Sequence, residues 1–139
     1  MLLIVYLHDV NFLKMKKRDI KILLVDDEPD ILEITSRFLT NESYETLTAP
    51  NGKLGLDELK NHYKDIWLIL LDIMMPGLSG LEVLKIIKAN PTYDDIKVIM
   101  FSVKSHESDI KKALELGATG YIVKPISGKN LIDTIKNLR

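Results

Sequence analysis

Five residues of reactive type stand directly after short apolar runs. Asp26 and Asp27 follow the run 22–25, Asp72 follows 66–71, Ser102 follows 98–101 and Lys124 follows 120–123. Taken alone, each has an ordinary explanation. An Asp-Asp pair can be a polar turn or a helix cap, and a lone lysine or serine is usually a solvated surface residue. Their joint position after separate runs points to chemistry. If the runs are neighbouring strands, three carboxylates converge and oppose one another's ionisation, at a cost on the order of several kcal/mol per close pair. Lys124 offers one compensating charge. A hard divalent cation on oxygen ligands offers two more, and few protein ligands with room for waters favour Mg²⁺. So equipped, Asp72 can attack a phosphoryl group. The cation and Lys124 would neutralise the transferred charge, and the Ser102 hydroxyl could hydrogen-bond a phosphoryl oxygen.

The elements that must position these residues are legible in the apolar pattern. Ile22-Leu23-Leu24-Val25, Ile66-Trp67-Leu68-Ile69-Leu70-Leu71, Val98-Ile99-Met100-Phe101 and Gly120-Tyr121-Ile122-Val123 read as strands. Continuous apolar character means burial on both faces. Tyr44-Glu45-Thr46-Leu47-Thr48 alternates as a further strand. Between them, helical spacing recurs at Ile31, Ile34, Thr35, Phe38 and Leu39, with Pro29 suited to a first turn. A weaker helix runs through Leu56 and Leu59, where Gly55 lowers the propensity by about 1 kcal/mol. Ser79-Gly80-Leu81-Glu82 has the form of a capping box, opening a helix that buries Leu81, Leu84 and Ile87 or Ile86. A fourth helix uses Ile110, Ala113 and Leu114, and a last one uses Leu131, Ile135 and Leu138. Five strands alternating with five helices predict an α/β fold, a doubly wound five-stranded parallel sheet in the order 2-1-3-4-5, flavodoxin-like and three-layered. In such sheets ligands gather beyond the carboxyl ends of the strands.

Composition bounds the rest. At 139 residues and a net charge of −1, one domain is expected, with no electrostatic footprint for nucleic acid or membrane. The absence of cysteine removes thiol chemistry and suits a cytoplasmic location. His8, His62 and His106 have no metal-ligand spacing and are expected at the surface. Residues 1–18 are expected to lie outside the fold, with 19–139 forming the domain. The apolar segment 1–7 is far shorter than the ~20 residues of a membrane span and lacks the flanks of a signal peptide. Beside the basic cluster 14–18 it reads as a linker or a membrane-surface anchor, or as an extension preceding a start at Met15.

The strings Ile22-Leu23-Leu24-Val25-Asp26-Asp27-Glu28, Leu70-Leu71-Asp72-Ile73-Met74-Met75-Pro76-Gly77, Phe101-Ser102 and Tyr121-Ile122-Val123-Lys124-Pro125 resemble the receiver domain of two-component response regulators, over residues 19–139. That resemblance implies a stand-alone signalling module that is no enzyme beyond its own phosphorylation and dephosphorylation. Asp72 would be the phosphoacceptor, served by a sensor histidine kinase or a histidine phosphotransfer protein. Asp27 and Asp72 would bind Mg²⁺ directly, Met74 through its backbone carbonyl and Asp26 through water. Ser102 and Tyr121 would be the switch pair, Lys124-Pro125 a cis peptide, and helix four, strand five and helix five the readout face for a downstream protein of unknown identity. The resemblance also allows a phosphorylation-dependent dimer, and a receiver that is one piece of a larger regulator.

Val103 is bulkier than the small residue usual after the switch serine, while Met74 and Lys104 occupy positions where receivers vary and tune phosphoryl lifetime. Other readings fit less well. A Mg²⁺-dependent phosphatase with an aspartate nucleophile needs an acid two residues on, where Met74 stands. A receiver that has lost its chemistry would not keep every acceptor residue. A nucleotide or flavin binder would need a glycine-rich loop where Asp26-Asp27-Glu28 stands. A DNA-binding protein would show an added helix-turn-helix or a basic face. Trp67 begins strand three, roughly 16 Å from Asp72 at ~3.3 Å per residue. Its fluorescence should therefore respond weakly to Mg²⁺, and an emission titration showing a large Asp27-dependent quench would contradict that placement.

Overall fold

A computed structural model describes residues 21–138; the expectations for residues 1–18 fall outside them. The elements alternate as β1 (Lys21–Val25), α1 (Pro29–Asn41), β2 (Glu45–Ala49), α2 (Gly52–His62), β3 (Ile66–Leu71), α3 (Gly80–Lys88), a 3-10 turn (Pro91–Tyr93), β4 (Lys97–Ser102), α4 (Glu107–Glu115), β5 (Gly120–Val123) and α5 (Gly128–Asn137). The five strands form one sheet in the order β2-β1-β3-β4-β5, and every pair is parallel. The predicted class and order are the observed ones.

Period-two alternation divides the strand residues between two cores. Leu23, Val25, Ile69, Leu71, Val98 and Met100 join Leu59, Val83, Leu84, Ile87 and Ala113 on one face, so α2, α3 and α4 cover that side. Ile22, Leu24, Leu68, Leu70, Ile99, Phe101 and Ile122 join Leu39, Leu131, Ile132 and Ile135 of α1 and α5 on the other. All six residues of β3, at the centre of the sheet, are buried. No helix among the described residues is long and apolar enough to cross a membrane.

The helix faces correct several expectations. In α1 only Thr35 and Leu39 are buried, while Ile34 and Phe38 are exposed. The apolar stripe is wider than the strip of sheet that α1 covers. In α3 the buried residues are Val83, Leu84 and Ile87; Leu81 is half-buried and Ile86 is exposed. In α4 only Ala113 is buried, with Leu114 exposed, because this helix lies over the narrow β4–β5 side of the sheet. The start signals behave as expected. Ser79 Oγ accepts the Glu82 N–H at 3.3 Å, and Pro29 occupies the first turn of α1.

Gly55, a low-propensity residue of α2, sits against β1. A Cβ there would lie 2.8 Å from Val25 Cγ2, so the glycine lets the helix approach β1 closely. Gly80 is tighter still. A Cβ would lie 2.0 Å from the Asp72 carbonyl oxygen and 2.7 Å from Ile73 Cα, and the Gly80 N–H donates to the Ile73 carbonyl at 2.9 Å. For Gly80→Ala, helix propensity favours the variant by about 1 kcal/mol. The clash is with backbone that cannot step aside, and overpacking of this kind typically costs about 1–3 kcal/mol. The clash should win, lowering the urea midpoint; an unchanged or raised midpoint would show that α3 is free to shift.

Candidate functional site

The sheet's hydrogen-bond ladder continues one residue beyond the strands and fixes the site residues by their backbones. The Asp26 N–H donates to the Ala49 carbonyl (3.1 Å), Asp72 N–H to Val25 (2.9 Å) and Lys124 N–H to Ser102 (2.9 Å). Because the strands are parallel, all these ends lie at the same edge. Asp26, Asp27 and Asp72 each present a carboxylate oxygen there, all within 4.8 Å of one another. Asp26 and Asp72 are each only 4% exposed, and Lys124 is 9% exposed.

Lys124 Nζ is ion-paired with Asp26 Oδ2 and lies 3.7 Å from Asp72 Oδ2. Asp26 is held further by the Glu28 N–H, donated to its Oδ1 at 3.0 Å. The Ser102 hydroxyl and the Met74 backbone lie near enough to Asp72 to favour its charged form. Burial pushes the Asp72 carboxyl above its ordinary value, and the Asp26 charge adds to that; Lys124, Ser102 and Met74 oppose the shift without overcoming it. Hard oxygen donors this close, with one ammonium among three carboxylates, form a donor set that fits a divalent cation.

Tyr121 lies farther out, half-buried against the first core, and its hydroxyl donates to the Lys104 carbonyl at 2.7 Å. Burial and the nearby Asp109 hold its phenol above the usual value, so it remains a donor near neutrality. The Lys104 N–H donates to Ser102 Oγ at 3.4 Å, placing Ser102, Lys104 and Tyr121 in one chain of contacts. The Lys124-Pro125 peptide is cis. The side chains of Met74 and Val103 are both exposed. His62 pairs with Glu58 at 3.5 Å on the surface of α2, away from the site.

Two participants were not foreseen from the sequence. The Lys104 carbonyl receives the tyrosine hydroxyl, and a backbone acceptor has no residue-type signal. Phe101 places its ring under Lys124, with Nζ 5.0 Å from the centroid. It reads simply as the last apolar residue of a strand.

Residues 22–136 match the family described as response regulator receiver domain. Over 117 residues the chain is 38% identical to response regulator SaeR of Staphylococcus aureus, covering 84% of this chain and 49% of that protein. The chain thus spans about half the length of the curated relatives it matches. Among solved structures, chemotaxis protein CheY4 of Vibrio cholerae superposes with a TM-score of 0.80 at 26% identity, covering 87% of this chain and 99% of that one. A CheX-CheY-BeF3-Mg²⁺ complex from Borrelia burgdorferi gives 0.79 at 29% identity, covering 85% of this chain and 87% of that one.

The raised Asp72 value fixes a sign for stability. Between the ordinary 3.8 and the higher native value, the unfolded chain releases this proton while the folded chain keeps it. Folding therefore loses stability as pH rises through that window, and the loss is complete above it. In metal-free buffer Asp72→Asn should be more stable than wild type at pH 7, with the difference closing below the ordinary carboxylate range. Urea unfolding across pH checks this, and a variant less stable at pH 7 would reverse the sign.

Proposed function

Because this chain belongs to the response regulator receiver family, we propose that Asp72 accepts its phosphoryl group, from a phosphohistidine on a sensor kinase or phosphotransfer protein. The observation that carries this reading is the Asp72 carboxylate, buried on a rigid strand end within 4.8 Å of two further carboxylates and 3.7 Å from an ammonium. An Asp72 oxygen bonds to phosphorus as the donor's P–N bond breaks, and the departing imidazole nitrogen takes up a proton from solvent. Lys124 meets the charge on the transferred oxygens, and the Ser102 hydroxyl turns from the carboxylate to a phosphoryl oxygen. Bound by Asp27, Asp72, the Met74 carbonyl and, through water, Asp26, Mg²⁺ would neutralise and orient the transferred group. The CheX-CheY-BeF3-Mg²⁺ neighbour supports Mg²⁺ and beryllofluoride as suitable probes for this chain.

The new group brings a charge of about −1.5 to −2. It biases a balance between two arrangements by interacting differently with each. Ser102 and Tyr121 form the switch pair of this reading, since both already contact Lys104 in the β4–α4 loop. The readout face is then α4, β5 and α5, where Leu114 and Val123 are exposed. Phosphohistidine donors, the absence of cysteine and the lack of a spanning helix among the described residues fit a cytoplasmic role. In this reading the chemistry of Asp72 is its own phosphorylation and dephosphorylation. No acidic side chain stands at Met74 to protonate a leaving group and drive turnover.

Incubation with Mg²⁺ and a small phosphodonor, read by intact mass, should give one phosphoryl adduct. Asp72→Ala should abolish it and Lys124→Ala should slow it about 10²-fold or more. No wild-type adduct, or an undiminished one in Asp72→Ala, overturns the reading.

A further inference from the structure

A buried ammonium needs partners on every side from which water is excluded. Lys124 is paired with Asp26 and lies near Asp72. Its Nζ also lies over the ring of Phe101, 5.0 Å from the centroid. The strand register explains the placement. Phe101 pairs with Ile122 across β4 and β5, and Lys124 is two residues past Ile122, so all three share one face of the sheet. Ser102 faces the opposite way. Adjacent residues of β4 therefore serve the site from opposite faces, Ser102 on Asp72 and Phe101 beneath Lys124.

We propose that Phe101 is a positioning residue that acts through Lys124, holding the ammonium between Asp26 and Asp72 where an incoming phosphoryl oxygen will meet it. The inference rests on the phosphoacceptor reading above. The ring is suited to this in three ways. Its negative π face attracts the cation within the ~6 Å range of such contacts, more strongly where water is excluded. It accepts no directed hydrogen bond of the ordinary kind, so the ammonium's N–H groups stay available to the carboxylates and to the transferred group. It is also fixed, being 7% exposed and packed with Ile22, Leu24, Leu70 and Ile122 in the second core. Lysine's flexible four-carbon stem has little directional preference of its own. With an aliphatic residue in place of the ring, the ammonium would settle wholly onto Asp26, its nearer partner. The phosphoryl group would then have to draw it back during transfer. Phe101 and Lys124 both line a groove of about 240 Å³ with Val103 and Pro125.

The test measures the rate of adduct formation with Mg²⁺ and a small phosphodonor in the full chain. Phe101→Leu, which keeps an apolar side chain but loses the π face, should be about tenfold slower, with Phe101→Tyr recovering most of the rate. Replacing Phe101 by phenylalanines of increasing ring fluorination drains the π face while keeping the ring's shape. The logarithm of the rate should fall steadily along that series, a response that packing alone would not produce, and the series stands even if Phe101→Leu fails to fold. A flat fluorination series in a chain whose phosphorylation depends on Lys124 overturns this inference and leaves the phosphoacceptor reading standing. A wild type that forms no adduct defeats that reading and this inference with it, whereas a Lys124→Ala variant as fast as wild type overturns this inference and leaves Asp72 as the acceptor.

Discussion

Two carboxylates are held out of water side by side, with one ammonium between them. Asp26 and Asp72 are almost wholly buried, and like charges in that position repel strongly because little solvent screens them. A buried ion pair of this kind contributes little net stability, since desolvation offsets the Coulombic gain. Removing its one cation would be worse, leaving uncompensated charge behind. The arrangement therefore makes sense as a site and not as a brace. Burial, with the Asp26 charge adding to it, holds Asp72 above its ordinary value, so further positive charge at the site would be favourable.

Such a site needs a platform that cannot relax. A carboxylate on a loop would move outward to water. Here Asp26, Asp72 and Lys124 are each pinned by a ladder hydrogen bond one step past the strand, and the sheet carries helices on both faces. Parallel pairing is what makes the geometry work, because it delivers the carboxyl ends of β1, β3 and β5 to one edge although they are far apart in the chain. Gly80 matters for the same reason. It lets α3 seat directly on the Asp72 carbonyl, so the carboxylate is backed by a helix as well as by a strand.

Much of this was legible in the residues. Continuous apolar runs ending in Asp, Ser or Lys mark buried strands, and with right-handed crossovers and a doubly wound order they bring Asp26, Asp27, Asp72, Ser102 and Lys124 to one edge. The helices were less well resolved, for a physical reason. Periodicity reports that a helix has an apolar face, but not how wide a strip of sheet lies beneath it. Ile34, Phe38, Ile86 and Leu114 carry the right spacing and end exposed because the covered strip is narrow. Cross-strand relations were also hidden. The ring of Phe101 under Lys124 depends on the β4–β5 register, and the Tyr121 bond to Lys104 ends on a backbone carbonyl.

The ion pair between Lys124 and Asp26 joins residues 98 positions apart, and it bears on how the molecule comes apart. β5 is a four-residue strand at the sheet's edge, the sort of element that ordinarily frays first. Peeling it away would carry off the only ammonium among the described residues that is paired with these buried carboxylates, so the opening is resisted by electrostatics as well as by its few ladder bonds. The weakest edge is thereby tied to the centre of the sheet. Fraying becomes part of a larger cooperative unit, and any cation that replaced Lys124's charge at the carboxylates would loosen that tie.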